Sequence, residues 1–188
     1  MLSDLINEIY PIPGSAIKAI ESLARIKHFQ KKEHFIAKGA HNKEEYFVLE
    51  GVVRSFVLNP QGEEVTISFY CASSVIPPHL VRNKNGRSQL SFQALTESKL
   101  AVLDAQEFET LRTENKEVRN FGITVLQNEL LSKVSKEIGL ASLTAGERLK
   151  RFRSKYHNLE NLIPHPYIAS YLGITNISMS RLRSEIRD

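Results

Sequence analysis

The stretch Ile163–Arg187, IPHPYIASYLGITNISMSRLRSEIR, predicts two short helices separated by a turn, and the rest of the chain is organised around it. Apolar residues recur along one face of the first helix at helical spacing. They are Ile168, Ala169 and Leu172. Gly173 follows, and glycine adopts without strain the left-handed backbone that commonly ends a helix. The stretch therefore predicts a helix–turn–helix.

The second helix of this stretch has polar side chains of the types that read DNA. Thr175 or Asn176 is expected to cap it, because either side chain can accept a hydrogen bond from a free amide. Arginine grips guanine, asparagine pairs with adenine, and serine reaches phosphates or bases. The residues expected to face outward are Asn176, Ser178, Ser180, Arg181 and Arg183. Those that can turn inward are Ile177, Leu182 and Ile186, with Met179 nearby. A terminal helical hairpin that only packs is the alternative.

The positive charge of the chain lies in the same region. The whole sequence has a net charge of +4. Residues 1–144 hold 17 Lys and Arg against 17 Asp and Glu, whereas residues 145–188 hold 8 against 4. This surplus would meet DNA phosphates, although a solvated basic helix face would give the same pattern. The basic residues just ahead of the motif are Arg148, Lys150, Arg151, Arg153 and Lys155.

The composition argues against several classes of protein. No apolar run reaches the roughly 18–20 residues that cross a bilayer, and the N-terminus MLSDLINEIYPIPG lacks the features of a secretory signal. The single cysteine, Cys71, excludes an intramolecular disulfide. The histidines lack metal-ligand spacing, and no phosphate loop or nucleophile elbow occurs. We therefore expect a cytoplasmic protein with no catalytic residues, no metal, no evident cofactor and no membrane partner.

The middle of the chain has the pattern of a β-domain. Seven short strand-like runs follow one another with no helix between them, and turn signals such as Glu50-Gly51 separate them. The runs are Ile26–Gln30, His34–Ala37, Tyr46–Leu49, Val52–Leu58, Val65–Tyr70, Leu90–Leu95 and Leu100–Leu103. Many short strands at close spacing favour an antiparallel barrel or sandwich over a parallel sheet.

Helices are predicted on both sides of the β-domain. Two short ones, Leu2–Ile9 and Ala16–Leu23, precede it. Asp104 is expected to cap a helix that runs to about Leu111, and a long helix follows from about residue 116 to 140. Thr144 and Glu147 fit a capping box, which predicts a further helix to about residue 157.

The long helix carries a narrow apolar seam. Its positions are Gln127, Leu131, Val134, Ile138 and Ala141. They are spaced by 4, 3, 4 and 3 residues, like the seam of a coiled coil. Such a helix can pack within its own subunit, but on a helix that leads into a DNA-reading domain we favour a dimer contact. The predicted dimer interface is Gln127, Leu131, Val134 and Ile138.

The expected fold is of the α+β class, with three parts. Residues 1–115 form an antiparallel jelly-roll barrel, residues 116–142 a long dimerisation helix, and residues 143–188 the helix–turn–helix domain. This order resembles the Crp/Fnr family of bacterial transcription regulators, whose sensor module is a cyclic-nucleotide-binding-type barrel. The resemblance rests on Gly39, the run 46–54, Gly62-Glu63, the run 94–103, residues 147–149, Ile168-Ala169, residues 173–175 and Ser180-Arg181. The Ser-Arg pair is its most specific part.

The resemblance implies which residues touch bases. Asn176, Ile177, Ser178 and Arg181 fall at the family's base-contacting positions, and the fork of Arg181 matches a guanine edge. Ile177 departs from the polar residue often found there, so that it would read a thymine methyl or cap the core. The family's wing hairpin has only six residues, 158–163, in which to form. We therefore expect fewer phosphate contacts and a lower salt dependence of DNA binding.

The ligand site departs further from the family pattern. A Gly-Glu pair and an Arg followed by a small residue bind the cyclic phosphate and the ribose in the family. Here Pro77 and Pro78 take the Gly-Glu positions, which removes two amide donors, and Ser88 aligns with the Arg. Arg87 is one residue away, and would either reach an anion or be a solvated loop residue. Cyclic AMP binding of the family's usual kind is thus not expected. The candidate effector pocket is Pro77, Pro78, Arg87, Ser88 and Gln89.

The sequence as a whole predicts a sequence-specific DNA-binding transcription regulator. It would act as a homodimer on double-stranded DNA, with an unidentified small effector in the barrel, if there is one, biasing the long helix. One alternative is a small-molecule-binding module whose DNA function has decayed. Another is a barrel enzyme or cupin-like metal protein, which would need a His/Glu cluster that the sequence does not show.

Overall fold

The computed structural model describes residues 1–185, which fall into two compact units. The first unit comprises residues 1–55 and 69–130, and the second comprises residues 56–68 together with the chain from residue 131 onward. The division thus falls inside the long helix, and it assigns a β-hairpin tip to the C-terminal unit. Ile186, predicted above to turn inward, lies outside the described residues.

Eight antiparallel strands build two four-stranded sheets in the described chain. They are β1 (Arg25–Phe29), β2 (His34–Ile36), β3 (Glu44–Glu50), β4 (Val52–Leu58), β5 (Glu64–Cys71), β6 (Ser74–Ile76), β7 (Ser91–Ala94) and β8 (Ser98–Asp104). The order is β1-β8-β3-β6 in one sheet and β2-β7-β4-β5 in the other. This non-sequential order is that of a jelly-roll-like sandwich, and the α+β fold class expected from the sequence is confirmed.

Nine helices complete the described residues. They are α1 (Leu2–Ile9), α2 (Gly14–Leu23), α3 (Pro78–Val81), α4 (Ala105–Glu114), α5 (Lys116–Ser142), α6 (Ala145–Lys155), α7 (Leu159–Leu162), α8 (His165–Leu172) and α9 (Asn176–Glu185). The sequence predicted seven of these helices and seven of the strands. It missed β6, α3 and α7, which have only three or four residues each and are too short for a hydrophobic period to show.

The first unit has an apolar core on each face of its β1-β8-β3-β6 sheet. On the outer face, α1, α2, α4 and the start of α5 pack around Phe47, which stacks on Phe121 at 6.1 Å between ring centroids and meets the edge of Phe108 at 5.9 Å. On the inner face, buried side chains such as Val48 and Leu100 share a core with Phe92. Each fully buried aromatic of this kind contributes roughly 1.5–3 kcal/mol to folding. The helices are thereby fixed to the barrel wall.

The turn between β3 and β4 depends on Gly51. Its φ of +87° lies in the left-handed region, and a Cβ at this position would sit 2.5 Å from the carbonyl oxygen of Glu97. Only glycine permits both that backbone conformation and the close approach of the loop before β8. The turn predicted at Glu50-Gly51 is present, but β3 and β4 belong to different sheets and do not pair, so the predicted tight hairpin is wrong: the turn carries the chain from one sheet to the other.

The second unit is a small helical domain that includes a hairpin tip. Its core is formed by Leu149 and Phe152 of α6, Leu159 of α7, Ile168 and Leu172 of α8, and Met179 of α9. The capping box that opens α6 forms as predicted, with the Glu147 amide donating to Thr144 Oγ1 and the Thr144 amide donating to the Glu147 carboxylate. In the hairpin tip, the amide of Thr66 donates to Ser170 Oγ of α8 at 3.1 Å. The hairpin is thereby attached to the helical domain.

Candidate nucleic-acid interface

The turn between α8 and α9 holds the two helices at a fixed angle. Gly173 has a φ of +66°, and its amide donates to the carbonyl oxygens of Ala169 and Ser170, which satisfies the last turn of α8. At the start of α9, the Ser178 amide donates to Thr175 Oγ1 at 3.1 Å. Thr175, one of the two residues predicted as a cap, is therefore the N-cap, and Asn176 is left with an exposed side chain.

The outward face of α9 carries most of the residues predicted to read DNA. Asn176, Ser180 and Arg181 are exposed, and Ser178 is half-buried with its hydroxyl 3.0 Å from that of Thr175. Met179 is buried and anchors the opposite face. The face thus presents an amide, hydroxyls and a guanidinium, which are donors and acceptors of the kinds that recognise base edges.

Two of the residues expected to turn inward do not fill the core as predicted. Ile177 is 69% exposed, so the predicted inward orientation is wrong and the option of capping the core is excluded. Leu182 is half-buried. Met179 is the buried residue instead, because a step of two residues turns the side chain by about 200° around the helix axis.

Arg183 differs from its predicted orientation. Its Nε donates to Glu160 Oε1 at 2.7 Å, and its Nη1 lies 3.3 Å from His165 Nδ1. Glu160 also accepts from Arg153 Nε at 2.7 Å, and the hydrogen bonds from Arg153 and then Arg183 lower the pKa of the Glu160 carboxyl. The half-buried Arg183 therefore ties α9 to α7. The prediction that it faces outward is wrong, since an acidic partner only becomes visible in three dimensions.

A short helix lies between α6 and α8, the position of the wing hairpin in the family. Asn158 adopts a left-handed backbone with a φ of +60° and leads directly into α7. No strand lies between α6 and α8 in this fully described part of the chain. The wing expected to be missing or reduced is replaced by one turn of helix, Leu159–Leu162.

The seam predicted on α5 lies on the surface of the chain. Leu131 is 67% exposed and Ile138 55% exposed, and Val134 and Gln127 are exposed as well. Leu130 extends the same apolar surface on its flank. Within the described residues the seam is thus not packed inside the subunit. Large exposed apolar patches of this kind mark interaction surfaces.

The predicted effector residues are only partly brought together. Ser88 is buried, and its hydroxyl donates to the carbonyl oxygens of Leu90 at 2.7 Å and of Leu80 in α3 at 3.4 Å. Pro77 is the N-cap of α3 and Pro78 is its first residue, a position that tolerates proline. Arg87 is exposed and donates from Nη1 to the Gly39 carbonyl oxygen at 2.7 Å, and Gln89 is exposed. Within the described residues Arg87 therefore holds a second loop, and its role toward an anion stays a prediction.

Two buried polar networks in the first unit were not predicted from the sequence. Arg54 is fully buried and donates from Nε and Nη2 to Gln93 Oε1 at 2.9 and 2.7 Å. Glu45, 2% exposed, accepts from Arg112 Nη2 at 2.8 Å and from Arg82 Nη2 at 3.0 Å. The signal was a charged residue inside a strand-like run, as in VVRSFVL, because a buried charge needs a partner.

Residues 1–185 contain neither a membrane-spanning helix nor a cluster of metal-ligand side chains. No described helix is long and apolar enough to cross a membrane. No group of three or more His, Cys, Asp or Glu side chains in that range converges as metal ligands would.

Comparison with known proteins agrees with this architecture. Residues 26–115 match the model of the cyclic nucleotide-binding domain. Electron transport regulator A of Shewanella oneidensis is 26% identical over 172 residues, which cover 85% of this chain and 68% of that protein. The structure of FixK2 from Bradyrhizobium japonicum superimposes with a TM-score of 0.77 at 19% identity, covering 87% of this chain and 84% of that one.

A third relative is assigned to the family named above. It is a transcriptional regulator of the Crp/Fnr family from Eubacterium rectale, with a TM-score of 0.72 at 15% identity, covering 95% of this chain and 87% of that one. The resemblance stated from the sequence is thus confirmed in its domain and in its fold.

Proposed function

Because this chain carries a cyclic nucleotide-binding domain and has the fold of Crp/Fnr transcriptional regulators, we propose that it is a transcription regulator that binds specific DNA sequences as a homodimer. The observation that supports this most directly is the outward face of α9, where Asn176, Ser180 and Arg181 are exposed on a helix that Met179 anchors. Ile177, exposed between them, would contact a thymine methyl.

The dimer in this proposal forms along the exposed seam of α5. Two such seams, Gln127, Leu131, Val134 and Ile138 from each subunit, would pack as a coiled coil and place two copies of α9 on one side of a DNA duplex. Helix–turn–helix dimers of this kind, members of the Crp/Fnr family among them, read half-sites about 10 base pairs apart. An effector, if one binds the barrel, would act by biasing α5.

The test is selection of bound duplexes from a random DNA pool by the purified protein with no ligand added. We expect enrichment of a palindrome with half-sites about one helical turn apart. The variant Arg181→Ala, selected in parallel, should lose preference at one base pair of each half-site. Absence of enrichment, both alone and after addition of any ligand that raises the melting temperature of the protein, would refute DNA recognition.

A further inference from the structure

A small basic pocket lies inside the second unit, where α5, α6 and α8 meet. We call it the junction pocket, and its charged lining residues are Lys136, Arg148, Arg151 and Lys155. Ser132, Ser135 and Tyr156 add hydroxyl groups. Among residues 1–185, no carboxylate lines it. Its volume is about 80 Å³. Since a water molecule needs about 10–15 Å³ by the same measure, the pocket has room for a group the size of a phosphate.

The guanidinium groups of the junction pocket keep donors available. Arg148 donates from Nε to the Leu172 carbonyl oxygen at 2.9 Å and from Nη1 to that of Leu143 at 2.6 Å. These two bonds fix its plane, and its Nη2 donates to no group within residues 1–185. Arg151 lies beside α5, with its Nη1 3.6 Å from where a Cβ of Gly139 would be. The guanidinium of Arg151 therefore lies against α5 at the edge of the pocket.

The ammonium groups of the pocket are crowded. Lys136 lies over the ring of Tyr171, 3.9 Å from its centroid, and donates to the Ile67 carbonyl oxygen at 2.9 Å. Lys155 donates to Ser132 Oγ at 2.6 Å. Burial, and then the charges of Lys133 and Lys155, lower the pKa of Lys136 to about 7. Cations held together at such a cost are typical of a site that an anion completes.

We propose that the junction pocket binds the phosphate group of a small molecule. The convergence of guanidinium, ammonium and hydroxyl donors from two helices matches the three acceptor oxygens of a phosphate. The site is separate from the barrel and from the outward face of α9, so it does not depend on the DNA-binding proposal. By joining α5 to α6 through one anion, the ligand would stiffen the connection between the long helix and the helix–turn–helix.

The experiment is calorimetric titration of the full chain at fixed ionic strength with three probes: inorganic phosphate, pyrophosphate and adenosine diphosphate. We expect saturable binding of one anion per chain. Tighter binding of adenosine diphosphate than of pyrophosphate would identify a phosphorylated small molecule as the ligand. Equal binding of the two would identify a free anion. Adenosine without phosphate should not bind.

Two matched variants decide where binding occurs. Arg151→Gln should weaken binding by about tenfold or more, the loss of one charge-assisted hydrogen bond. Lys150→Gln removes the same charge from the adjacent exposed residue of α6, outside the pocket, and should change affinity by less than about twofold. No saturable binding by the wild type would overturn the proposal. An equal loss in both variants would do so as well, since it would indicate a diffuse basic surface of the kind that contacts DNA phosphates.

A measurement on the unaltered protein covers the case in which Arg151→Gln folds poorly. Phenylglyoxal modifies exposed arginines, and mass spectrometry locates the modified residues. Pyrophosphate should protect Arg151 and leave the exposed Arg25 of β1 as reactive as before. Equal modification of Arg151 with and without pyrophosphate would contradict the proposal.

Discussion

At the scale of single residues, two arginines of α9 only two positions apart have different roles. Arg181 is exposed, whereas Arg183 is held by Glu160. The sequence analysis placed both on the outward side, although residues two apart on a helix point about 200° apart around its axis. Glu160 of α7 lies on the side to which Arg183 points. The two residues therefore offer matched substitutions with opposite expected effects.

Arg181→Ala is expected to weaken specific DNA binding and leave the fold intact. Loss of a bidentate contact to guanine should cost roughly 1–3 kcal/mol and relax the choice of one base pair. The measurement is a competition assay between the selected palindrome and single-base variants of it. An equal loss of affinity on all sequences would show instead that Arg181 contacts only phosphates.

Arg183→Gln is expected to lower the stability of the fold and to leave the specificity of DNA binding unchanged. The ion pair with Glu160 is partly exposed, so its loss should lower the free energy of unfolding by about 1 kcal/mol. Because the pKa of Glu160 is lowered in the folded chain, this contribution is present above the pKa of an unfolded glutamate. It is lost as the pH falls through the pKa of folded Glu160. Urea unfolding near neutral pH and in acid measures both effects, and an unchanged stability at neutral pH would show that the pair contributes nothing.

At the scale of elements, α5 has its most exposed apolar residues where a partner helix would pack. We expect Leu131→Glu to dissociate the proposed dimer, with an affinity at least about a hundredfold lower, because two carboxylates would be buried against the partner seam. Sedimentation velocity measures the outcome. Leu58→Glu, at an exposed leucine of β4, is the control for adding a charge to the surface. A monomeric wild type, or a dimer unaffected by Leu131→Glu, would rule out this seam.

The regular elements were largely predictable, and their exceptions have physical causes. Strands with alternating apolar and polar residues, and helices with an apolar face over two or more turns, were predicted to within about three residues at each end. The α3 helix was missed because Pro77 and Pro78 indicate a break, although proline is well accepted at the first position of a helix. The partners of polar side chains were less predictable than the helices and strands. The Arg54–Gln93 pair joins residues far apart in sequence, and only the sheet brings them together.

At the scale of the whole molecule, one half-buried lysine links stability to pH. The pKa of Lys136 is about 7 in the folded chain, against 10.5 for an ordinary lysine. Between these values the unfolded chain binds the extra proton, so the free energy of unfolding should rise as the pH increases from about 7 to about 10. Lys136→Met should remove this rise, as measured by urea unfolding at several pH values. Lys150→Met, which changes an exposed lysine, should keep the wild-type slope, and a slope retained in Lys136→Met would disprove the linkage.

The turn at Gly173 has a mechanical consequence for any signal that passes along the chain. A Cβ at this position would lie 3.2 Å from Leu140 Cδ2, so a side chain near the end of α5 lies close to the turn that leads into α9. The two hydrogen bonds that the Gly173 amide donates to the carbonyl oxygens of Ala169 and Ser170 hold this turn against the end of α8. A shift of α5 would therefore move α9 with it, because the turn at Gly173 would transmit the movement instead of absorbing it. A small displacement of α5 would then become a larger displacement at the far end of α9, the helix that we propose reads DNA.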